Sequence, residues 1–306
     1  MPELPDVVVY IESLKARLID HGGRRLERIN LLSPFVLRSV DPPIASVHGQ
    51  TVRDVRRVGK RIVLVFDDDV PASPARPAPL FLVIHLMIAG RLRWREPGQK
   101  PGVGPKLVLA SFEFENGTLL FTEASSKKRA SIQLVRGEAA VDALDPGGLE
   151  PLDATRPAFR EALTRENHTV KRALTDPHLF SGIGNAYSDE ILHAAKLSPL
   201  KQTRSMSDEE IGRLFDATRS TLTRWIDRLR DACGGKFPEK VTAFRDEMAV
   251  HGRFRLPCPV CGAPVQRIVY AENECNYCAK CQTGGRRLAD RSLSRLLKDD
   301  WPRSLD

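Results

Sequence analysis

Apolar residues change their spacing along the chain, and the change separates regions of different predicted structure. Between Pro5 and the Gly22-Gly23 pair they recur at helical spacing, on one face of a helix. The positions are Val7, Tyr10, Ile11, Leu14 and Leu18. This pattern predicts an amphipathic helix of about four turns, which the two glycines end.

The next region carries short apolar runs, with Gly, Pro and Asn-Gly turns between them. The runs cover residues 26–32, 51–58, 61–66, 80–86, 107–114, 118–122 and 130–135. Short runs at this spacing predict the strands of an antiparallel sandwich or barrel. Asn116-Gly117 is the clearest hairpin turn among them. Two inserts rich in Pro, Gly and Ala, 70–79 and 97–105, predict exposed loops.

Helical spacing returns in the second half of the chain. The predicted helices cover residues 160–163, 170–175, 186–195 and 207–229. Ser207 and Glu210 form a capping box at the start of the last helix, which has a long apolar face. The segment from about 251 to 282 is too short for a sizeable apolar core, and it contains most of the cysteines.

These shifts predict an α+β chain with several parts. Its 306 residues are enough for two domains, each with its own core. We expect the following boundaries: 1–137 for the N-terminal helix and antiparallel β-sandwich, 138–155 for a linker, 156–250 for an α-helical domain, 251–283 for a cysteine-rich hairpin and 284–306 for a basic tail.

The charge balance favours a polyanionic partner. Lys and Arg number 47 against 39 acidic residues, which gives a net charge of +8 and a pI near 9.3. The excess is clustered at 53–61, at Lys127-Lys128-Arg129 and at 286–298. Any one cluster alone is typical of a solvated surface. Neither a membrane span of about 20 apolar residues nor a secretory signal is evident, so we expect a cytoplasmic protein.

Five of the six cysteines lie between residues 258 and 281. Cys258 and Cys261 form one Cys-x-x-Cys pair, and Cys278 and Cys281 form another after sixteen residues. In a reducing compartment this spacing predicts one structural zinc ion held by four thiolates, with no ligand position left open for water. Cys275 is an alternative ligand, because Cys275 and Cys278 have the same spacing. We prefer the pair at 278 and 281 because it gives two symmetrical turns joined by a hairpin.

Two shorter motifs are ambiguous when each is taken alone. Gly182-Ile183-Gly184-Asn185 precedes a predicted helix, where two glycines and a capping Asn would present free backbone N–H groups to a phosphate. The same pattern is common in turns that join two helices. Lys60, after Gly59 at the start of a strand, is by itself more typical of a surface lysine.

The N-terminus contains a candidate nucleophile. If Met1 is removed, Pro2 becomes a secondary amine, and an α-amino group has a pKa of about 8. Glu3 lies beside it as a carboxylate for proton transfer. Alone, the stretch is more typical of a helix start, with Pro5 at the first helical position and Asp6 favoured by the helix dipole.

Together these motifs resemble the formamidopyrimidine-DNA glycosylase and endonuclease VIII family over about residues 1 to 282. The resemblance lies in Pro2-Glu3-Leu4-Pro5, Gly59-Lys60, the Gly182-Ile183-Gly184-Asn185 turn and the cysteine hairpin, in that order. It extends to Phe244-Arg-Asp-Glu-Met-Ala-Val-His-Gly-Arg253, which leads to the first cysteine pair. The resemblance implies an α-helical helix-two-turn-helix DNA-binding domain and a C-terminal zinc finger hairpin.

The resemblance also implies an activity and a set of residue roles. The enzyme would excise damaged bases from double-stranded DNA and then cut the strand by β,δ-elimination, as a monomer. Pro2 would attack C1′ and form a Schiff base, and Glu3 would transfer protons. Lys60 would contact the phosphate beside a nucleotide flipped from the stack, and Asn185 would hold backbone phosphates. Further DNA-binding candidates are Gly182, Gly184, Lys171, Lys127, Lys128 and Arg129.

The sequence departs from the family at four places. Asn273 occupies the position of an arginine in the zinc hairpin, and a neutral side chain cannot make a bidentate phosphate contact. The segment around Lys127-Lys128-Arg129 lacks the Asp-Pro-Arg-Arg-Phe-Gly pattern. Met87 is displaced by one place, and Asp6 replaces a usual Glu. We therefore expect retained abasic-site lyase activity and weak or absent excision of 8-oxoguanine.

Two other functions remain open at this point. A DNA-binding protein on the same scaffold, which recognises damaged DNA without cutting it, is consistent with Asn273 but leaves Pro2-Glu3 without a role. A zinc-ribbon transcription factor leaves the whole N-terminal motif unexplained. The basic tail, 286–298, would either supply missing phosphate contacts or only pack on the zinc domain.

Overall fold

The structure is a computed structural model that describes residues 1–20, 22–67, 78–239, 241–242, 244–270 and 273–288. Most of the predicted loop at 70–79 and most of the basic tail lie outside these residues. The chain forms two compact units. The first contains residues 1–146 and 226–242, and the second contains 147–225 and the described residues after 243.

The first unit begins with helix α1 (Leu4–Leu18), as its apolar spacing predicts. Eight strands follow in the described part of the unit: β1 (Arg24–Leu31), β2 (Thr51–Val58), β3 (Arg61–Asp67), β4 (Leu80–His85), β5 (Gly90–Arg95), β6 (Val108–Phe114), β7 (Gly117–Glu123) and β8 (Ser131–Arg136). A short helix, α2 (Glu138–Asp142), comes after β8.

The strands are ordered β5-β7-β6-β1-β2-β3-β4-β8, and each neighbouring pair is antiparallel. The register joins β1 to β2 only through Arg24 with Val52 and Arg25 with Thr51. The sheet can therefore separate into two layers of four strands beyond this short join. Residues of α1 and of both layers share one apolar core, so the predicted β-sandwich is confirmed.

Strand β5 was missing from the sequence prediction. Its sequence, Gly-Arg-Leu-Arg-Trp-Arg, places an arginine at every second position, and only Leu92, Trp94 and Gly90 are buried. The run has too few apolar residues to stand out as a strand. It is nevertheless an alternating pattern, which a count of period-two positions could have found.

The Asn116-Gly117 hairpin is present, with a small shift in its turn. Glu115 and Asn116 form the turn, and Gly117 already pairs with Phe114 as the first residue of β7. A Cβ at Gly117 would lie 2.6 Å from the carbonyl oxygen of Arg95 and 2.6 Å from the Trp94 ring. Glycine is required here by close packing as well as by its φ of 154°.

The second unit begins with helices α3 (Arg156–Thr164), α4 (Val170–Thr175), α5 (Asn185–Ala194) and the first part of α6 (Asp208–Cys233). Helix α3 begins four residues before the predicted 160, where the side chain of Thr155 accepts the backbone N–H of Ala158. The capping box of α6 is confirmed: Glu210 N donates to Ser207 Oγ at 3.2 Å, and Ser207 N donates to Glu210 Oε2 at 2.9 Å.

The second unit ends in a small hairpin and one helical turn. Strand β9 (Val265–Tyr270) pairs antiparallel with β10 (Asn273–Cys278), and helix α7 (Ala279–Thr283) follows directly. Its apolar residues form small clusters, one of which includes four cysteines and another Cys275. None of the helices within the described residues has both the length and the apolar character needed to cross a membrane.

Candidate functional site

The N-terminal motif lies in a buried position at the start of α1. Pro2 is buried, and Glu3 is 2% exposed. Glu3 is the N-cap of α1 and forms a capping box with Asp6, whose Oδ2 accepts the backbone N–H of Glu3 at 3.0 Å. The helix thus begins at Leu4, and Pro5 occupies its second position instead of its first. The helix start fixes the backbone that carries Pro2 and Glu3.

Lys60 is held close to this terminus by a tight turn. Gly59, at a φ of +58°, and Lys60 connect the antiparallel strands β2 and β3. Burial lowers the pKa of the Lys60 ammonium, and the nearby Glu3 carboxylate raises it in part. The structure therefore brings Lys60 and Glu3, which are far apart in sequence, within electrostatic reach of each other.

The N-terminal amine in the structure is that of Met1, and it lies among opposing charges. Burial lowers its pKa from the ordinary value of 8.0, and the Glu3 carboxylate opposes this effect. The Arg91 guanidinium then lowers the pKa further, and Lys60 adds a smaller effect in the same direction. A lowered pKa leaves more of the amine unprotonated near neutral pH, which is the form that can act as a nucleophile.

Arg91 is a residue of this site that the sequence prediction missed. Its Nε donates to the carbonyl oxygen of Val241 at 2.5 Å, and its Nη1 donates to the carbonyl oxygens of Gly90 at 2.7 Å and Ile88 at 3.2 Å. Three main-chain acceptors hold its charge in one place. The sequence signal was the alternating arginine pattern of β5, which was not identified as a strand.

The segment after α6 supplies one of these acceptors and is itself anchored to β5. Glu239 accepts from Arg93 at 2.9 Å and also pairs with Arg95. The Phe237 ring lies 5.7 Å from the Tyr10 ring, and Phe237 and Val241 belong to the core of the first unit. This anchoring fixes the Val241 carbonyl that holds Arg91.

His85, at the end of β4, lies in a basic part of the same unit. Burial lowers its pKa to about 4, and the charges of Arg61 and Lys60 add to the effect. The imidazole is therefore neutral at pH 7. It can accept or donate a hydrogen bond there without adding a charge.

The loop that carries Lys127, Lys128 and Arg129 is organised by Glu123. The Glu123 carboxylate is 1% exposed and accepts the backbone N–H of Arg129 at 3.0 Å and that of Ala130 at 3.2 Å. The Lys128 ammonium donates to the Glu123 carbonyl oxygen. Lys127 and Arg129 are exposed, so the loop presents their charges from a fixed backbone.

The glycine turn before α5 has the expected position but a different cap. Gly184 is the N-cap, and Asn185 is the first residue of the helix, so the expectation that Asn185 caps it is wrong. Its Nδ2 instead donates to the carbonyl oxygen of Glu274 in β10 at 2.8 Å. Gly182 has a φ of +77°, which favours glycine, and both glycines of the motif are buried.

Lys171 has its contacts inside the second unit. Its Nζ donates to Asp189 Oδ1 at 2.6 Å and to the carbonyl oxygen of Asn185 at 2.8 Å, and its side chain is 13% exposed. Asp189, fully buried, also meets His251 Nδ1 at 2.8 Å and accepts the backbone N–H of Asn276 at 3.1 Å. Asp189 therefore balances the charge of Lys171 close to the glycine turn.

Glu190, the neighbour of Asp189, is a second buried acid that the sequence prediction missed. It is 3% exposed and accepts the backbone N–H groups of Ala249, Val250 and His251 at 2.8 to 3.0 Å. Two successive acids in the middle of an apolar helix face were the available sequence signal. They hold the chain that leads to the first cysteine pair.

The four cysteines of the predicted metal site come together. The sulfur atoms of Cys258, Cys261, Cys278 and Cys281 all lie within 4.8 Å of one another. The Sγ atoms of Cys258 and Cys281 are 3.9 Å apart, and those of Cys261 and Cys278 are 3.4 Å apart. Tetrahedral zinc with Zn–S bonds of about 2.3 Å requires sulfur separations of roughly 3.8 Å. The donor set therefore fits a tetrahedral ion that prefers thiolates.

Two turns orient the sulfur atoms toward the centre of this cluster. The backbone N–H of Val260 donates to Cys258 Sγ, and that of Cys281 donates to Cys278 Sγ, each at 3.5 Å. Cys275 is separate from the cluster and packs with Ile268 and Tyr277 in the hairpin core. Asn273 begins β10 and pairs through its backbone with Tyr270.

Comparison with known proteins gives two family matches. The formamidopyrimidine-DNA glycosylase N-terminal domain matches residues 1–127, and the formamidopyrimidine-DNA glycosylase H2TH domain matches residues 148–233. A formamidopyrimidine-DNA glycosylase of Symbiobacterium thermophilum is 30% identical over 295 residues, which cover 92% of this chain and 89% of the relative.

Solved structures show the same fold. The MutM (Fpg) protein of Thermus thermophilus is similar with a TM-score of 0.73 at 29% identity, over 92% of this chain and 98% of that one. The Lactococcus lactis Fpg in complex with DNA that contains an abasic site has a TM-score of 0.77 at 24% identity, over 92% and 99% of the two chains.

Proposed function

The chain belongs to the formamidopyrimidine-DNA glycosylase family and is a DNA glycosylase, and from this premise we propose that it is bifunctional: it excises a damaged base and then cuts the strand. The observation that carries the proposal is the buried Pro2-Glu3 pair at the chain terminus, where burial, Arg91 and Lys60 lower the pKa of the Met1 amine. Removal of Met1 would place the Pro2 amine at this terminus.

Pro2 carries the covalent chemistry in this proposal. Its nitrogen lone pair attacks C1′ of the damaged nucleotide, the glycosidic bond breaks, and the base leaves with the bonding electrons and a proton. Opening of the sugar ring converts the C1′–N bond into a Schiff base. Loss of a C2′ proton then breaks the C3′–O bond, and a second elimination breaks the C5′–O bond. A covalent intermediate divides one difficult displacement into easier steps.

Glu3 and Lys60 have separate roles in the proposal. The Glu3 carboxylate moves protons during ring opening and elimination, because it is the acid next to the nucleophile. Lys60 contacts the phosphate beside the reacting nucleotide and stabilises it by charge. That nucleotide must leave the base stack before an amine can reach its C1′.

The DNA contacts are proposed for two regions of the chain. Lys127 and Arg129 contact phosphates from the loop that Glu123 organises, together with Lys128. The buried turn Gly182-Ile183-Gly184-Asn185 presents backbone N–H groups to phosphates at the start of α5. We propose that Lys171 supports this turn from inside, because its ammonium holds the carbonyl of Asn185.

The cysteine cluster is proposed to hold one structural zinc ion. The ligands are Cys258, Cys261, Cys278 and Cys281, whose sulfur separations match a tetrahedral site. When bound, the ion cross-links two turns of the hairpin, and four thiolates leave no position for water or substrate. Metal analysis of the purified protein is expected to find one zinc per chain.

The departures from the family pattern support a substrate range that is narrower than the family's. We propose that the enzyme keeps abasic-site lyase activity and that its excision of 8-oxoguanine is weak or absent, because Asn273 and the loop at 124–130 differ from the family pattern. The activities are measured on duplexes that carry each lesion opposite cytosine. Efficient release of 8-oxoguanine would contradict this part of the proposal.

Borohydride trapping on an abasic-site duplex tests the chemistry directly. The wild-type protein is expected to form a covalent adduct, and Pro2→Gly is expected to form none. Pro5→Ala is the matched control, because it removes a proline from the same helix start and leaves the amine. A damaged-DNA-binding protein without catalysis, the other function that Asn273 favours, would bind the duplex and form no adduct. Retention of Met1 in active protein would overturn the mechanism.

A further inference from the structure

A histidine from α5 contacts the cysteine cluster. His193 lies on the last turn of this helix and is 6% exposed, and its Nε2 is 3.3 Å from the Sγ of Cys258, which is 2% exposed. The two residues are 65 positions apart in the chain. His193 is not one of the four clustered cysteines, and the mechanism at Pro2 does not use it.

Thiolate chemistry decides the direction of this hydrogen bond when a metal is bound. A metal-bound thiolate has no proton, so its sulfur can only accept. His193 must therefore carry its proton on Nε2 and donate to Cys258. The imidazole contact is shorter than the contacts that the backbone N–H groups of Val260 and Cys281 make to sulfur, which are 3.5 Å each.

The negative charge of the metal-bound thiolates gives a physical reason for a donor at this position. Four thiolates around one divalent ion leave a net charge of about −2 in a half-buried place. Hydrogen-bond donors around ligand atoms spread this charge and fix the ligands' orientation. Cys258 receives such a donor from Val260 within its own turn and a second from His193 on another element.

The contact also belongs to a row of bonds between α5 and the cysteine hairpin. At the start of the helix Asn185 donates to Glu274, and in its middle Asp189 accepts from Asn276. Just beyond its end, the carbonyl oxygen of Leu197 accepts from Gln282 at 2.8 Å. His193 is the member of this row that reaches a clustered cysteine.

We propose that His193 is a positioning residue of the metal centre, which holds the Cys258 thiolate through an Nε2–H···S hydrogen bond and slows the loss of the ion. The inference rests on the proposed zinc site and is independent of the chemistry at Pro2. It assigns to α5 a second task, that of retaining the metal, in addition to its glycine turn.

Zinc release from the full-length protein to a chromophoric chelator tests the proposal. His193→Phe fills a similar volume without a donor, and it is expected to release zinc about 10 to 100 times faster than wild type. His193→Gln keeps an N–H donor and is expected to recover part of the loss. His178→Ala, which removes a 73% exposed histidine from the same unit, is the control and should not change the rate.

Two results would overturn the proposal. One is a wild-type release rate for His193→Phe at full zinc loading and unchanged circular dichroism. The other comes from the unmodified protein: nitrogen–proton correlation spectra are expected to show the His193 proton on Nε2, and a proton on Nδ1 alone would exclude the bond even if the variants fail to fold. Absence of zinc from the wild-type protein would reject the metal site itself, whereas a failed trapping experiment would leave His193 unaffected.

Discussion

The substitution Lys171→Met tests whether this lysine stabilises the fold or contacts DNA directly. The variant keeps the length of the side chain and removes its charge. Asp189 is fully buried and Lys171 is 13% exposed, so the change leaves a buried carboxylate without its closest cation. Removal of one partner from a buried ion pair costs about 3 to 5 kcal/mol. His251 and the backbone of Asn276 still contact Asp189, so we expect the lower end of that range.

Urea unfolding of the full-length protein measures this loss, and a double variant provides its control. Lys171→Met with Asp189→Asn removes both charges together and is expected to be more stable than Lys171→Met alone, with a coupling energy of about 0.5 to 3 kcal/mol. Additive effects of the two substitutions would contradict the ion pair as the source of the stability.

The salt dependence of binding to an abasic-analogue duplex measures the second role. A lysine that neutralises one phosphate contributes about 0.9 to the slope of log K against log salt. Because the Lys171 ammonium is bound to Asp189 and Asn185, we expect the slope to stay the same in Lys171→Met. A slope reduced by about 0.9 with unchanged stability would refute this reasoning and place Lys171 on the DNA.

Three further predictions concern the first unit. Arg91→Gln removes a positive charge that lowers the pKa of the Met1 amine. We expect the same charge to act on the Pro2 amine after removal of Met1, so the acid limb of the borohydride-trapping profile should move to higher pH, with Arg91→Lys close to wild type. An unmoved limb would contradict a role for Arg91. Glu123→Ala leaves two backbone N–H groups without their acceptor and should lower the free energy of unfolding in urea by about 1 to 3 kcal/mol. It should also weaken DNA binding in a mobility-shift assay, and unchanged binding would argue against the loop as a DNA contact. Gly117→Ala places a Cβ 2.6 Å from the Arg95 carbonyl and should lower the urea midpoint, whereas Gly104→Ala, with nothing within 4 Å, should not; equal midpoints would refute the packing argument.

Much of the fold could be predicted because its signals are local. Strand β2 has the predicted bounds, 51–58, and helix α4 has the predicted bounds, 170–175. Strand β5 was missed because three of its six residues are arginines, which leaves too few apolar residues for the run to stand out. The start of α3 was missed because Thr155 caps the helix, which begins four residues before the predicted 160. The prediction that Asn185 caps α5 was wrong, because Gly184 is the N-cap and the Asn185 side chain donates to Glu274, which is distant in sequence.

Some features of the candidate site could likewise be predicted from the sequence, and others could not. Pro2, Glu3 and the four cysteines are identifiable from adjacent residue types and short spacings. Other features depend on which strands and helices pack together. These are the environment of Lys60, the three main-chain carbonyl oxygens that accept from Arg91, and the burial of Asp189. The Cys275 alternative could not be settled from spacing, because Cys275 and Cys281 are both three residues from Cys278. The hairpin turns Cys275 into the apolar core instead.

The sequence by itself determined the helix that follows Pro2, most strands of the sandwich and the paired cysteines, because periodicity and close spacing act within a few residues of the chain. Only the tertiary structure decided which charges surround the N-terminal amine and that His193 meets Cys258. Burial and the pairing of distant residues set pKa values and hydrogen bonds, and neither is a property of any short stretch. The first six residues supply a candidate nucleophile, and the packed first unit supplies the burial and the charges that surround the chain terminus.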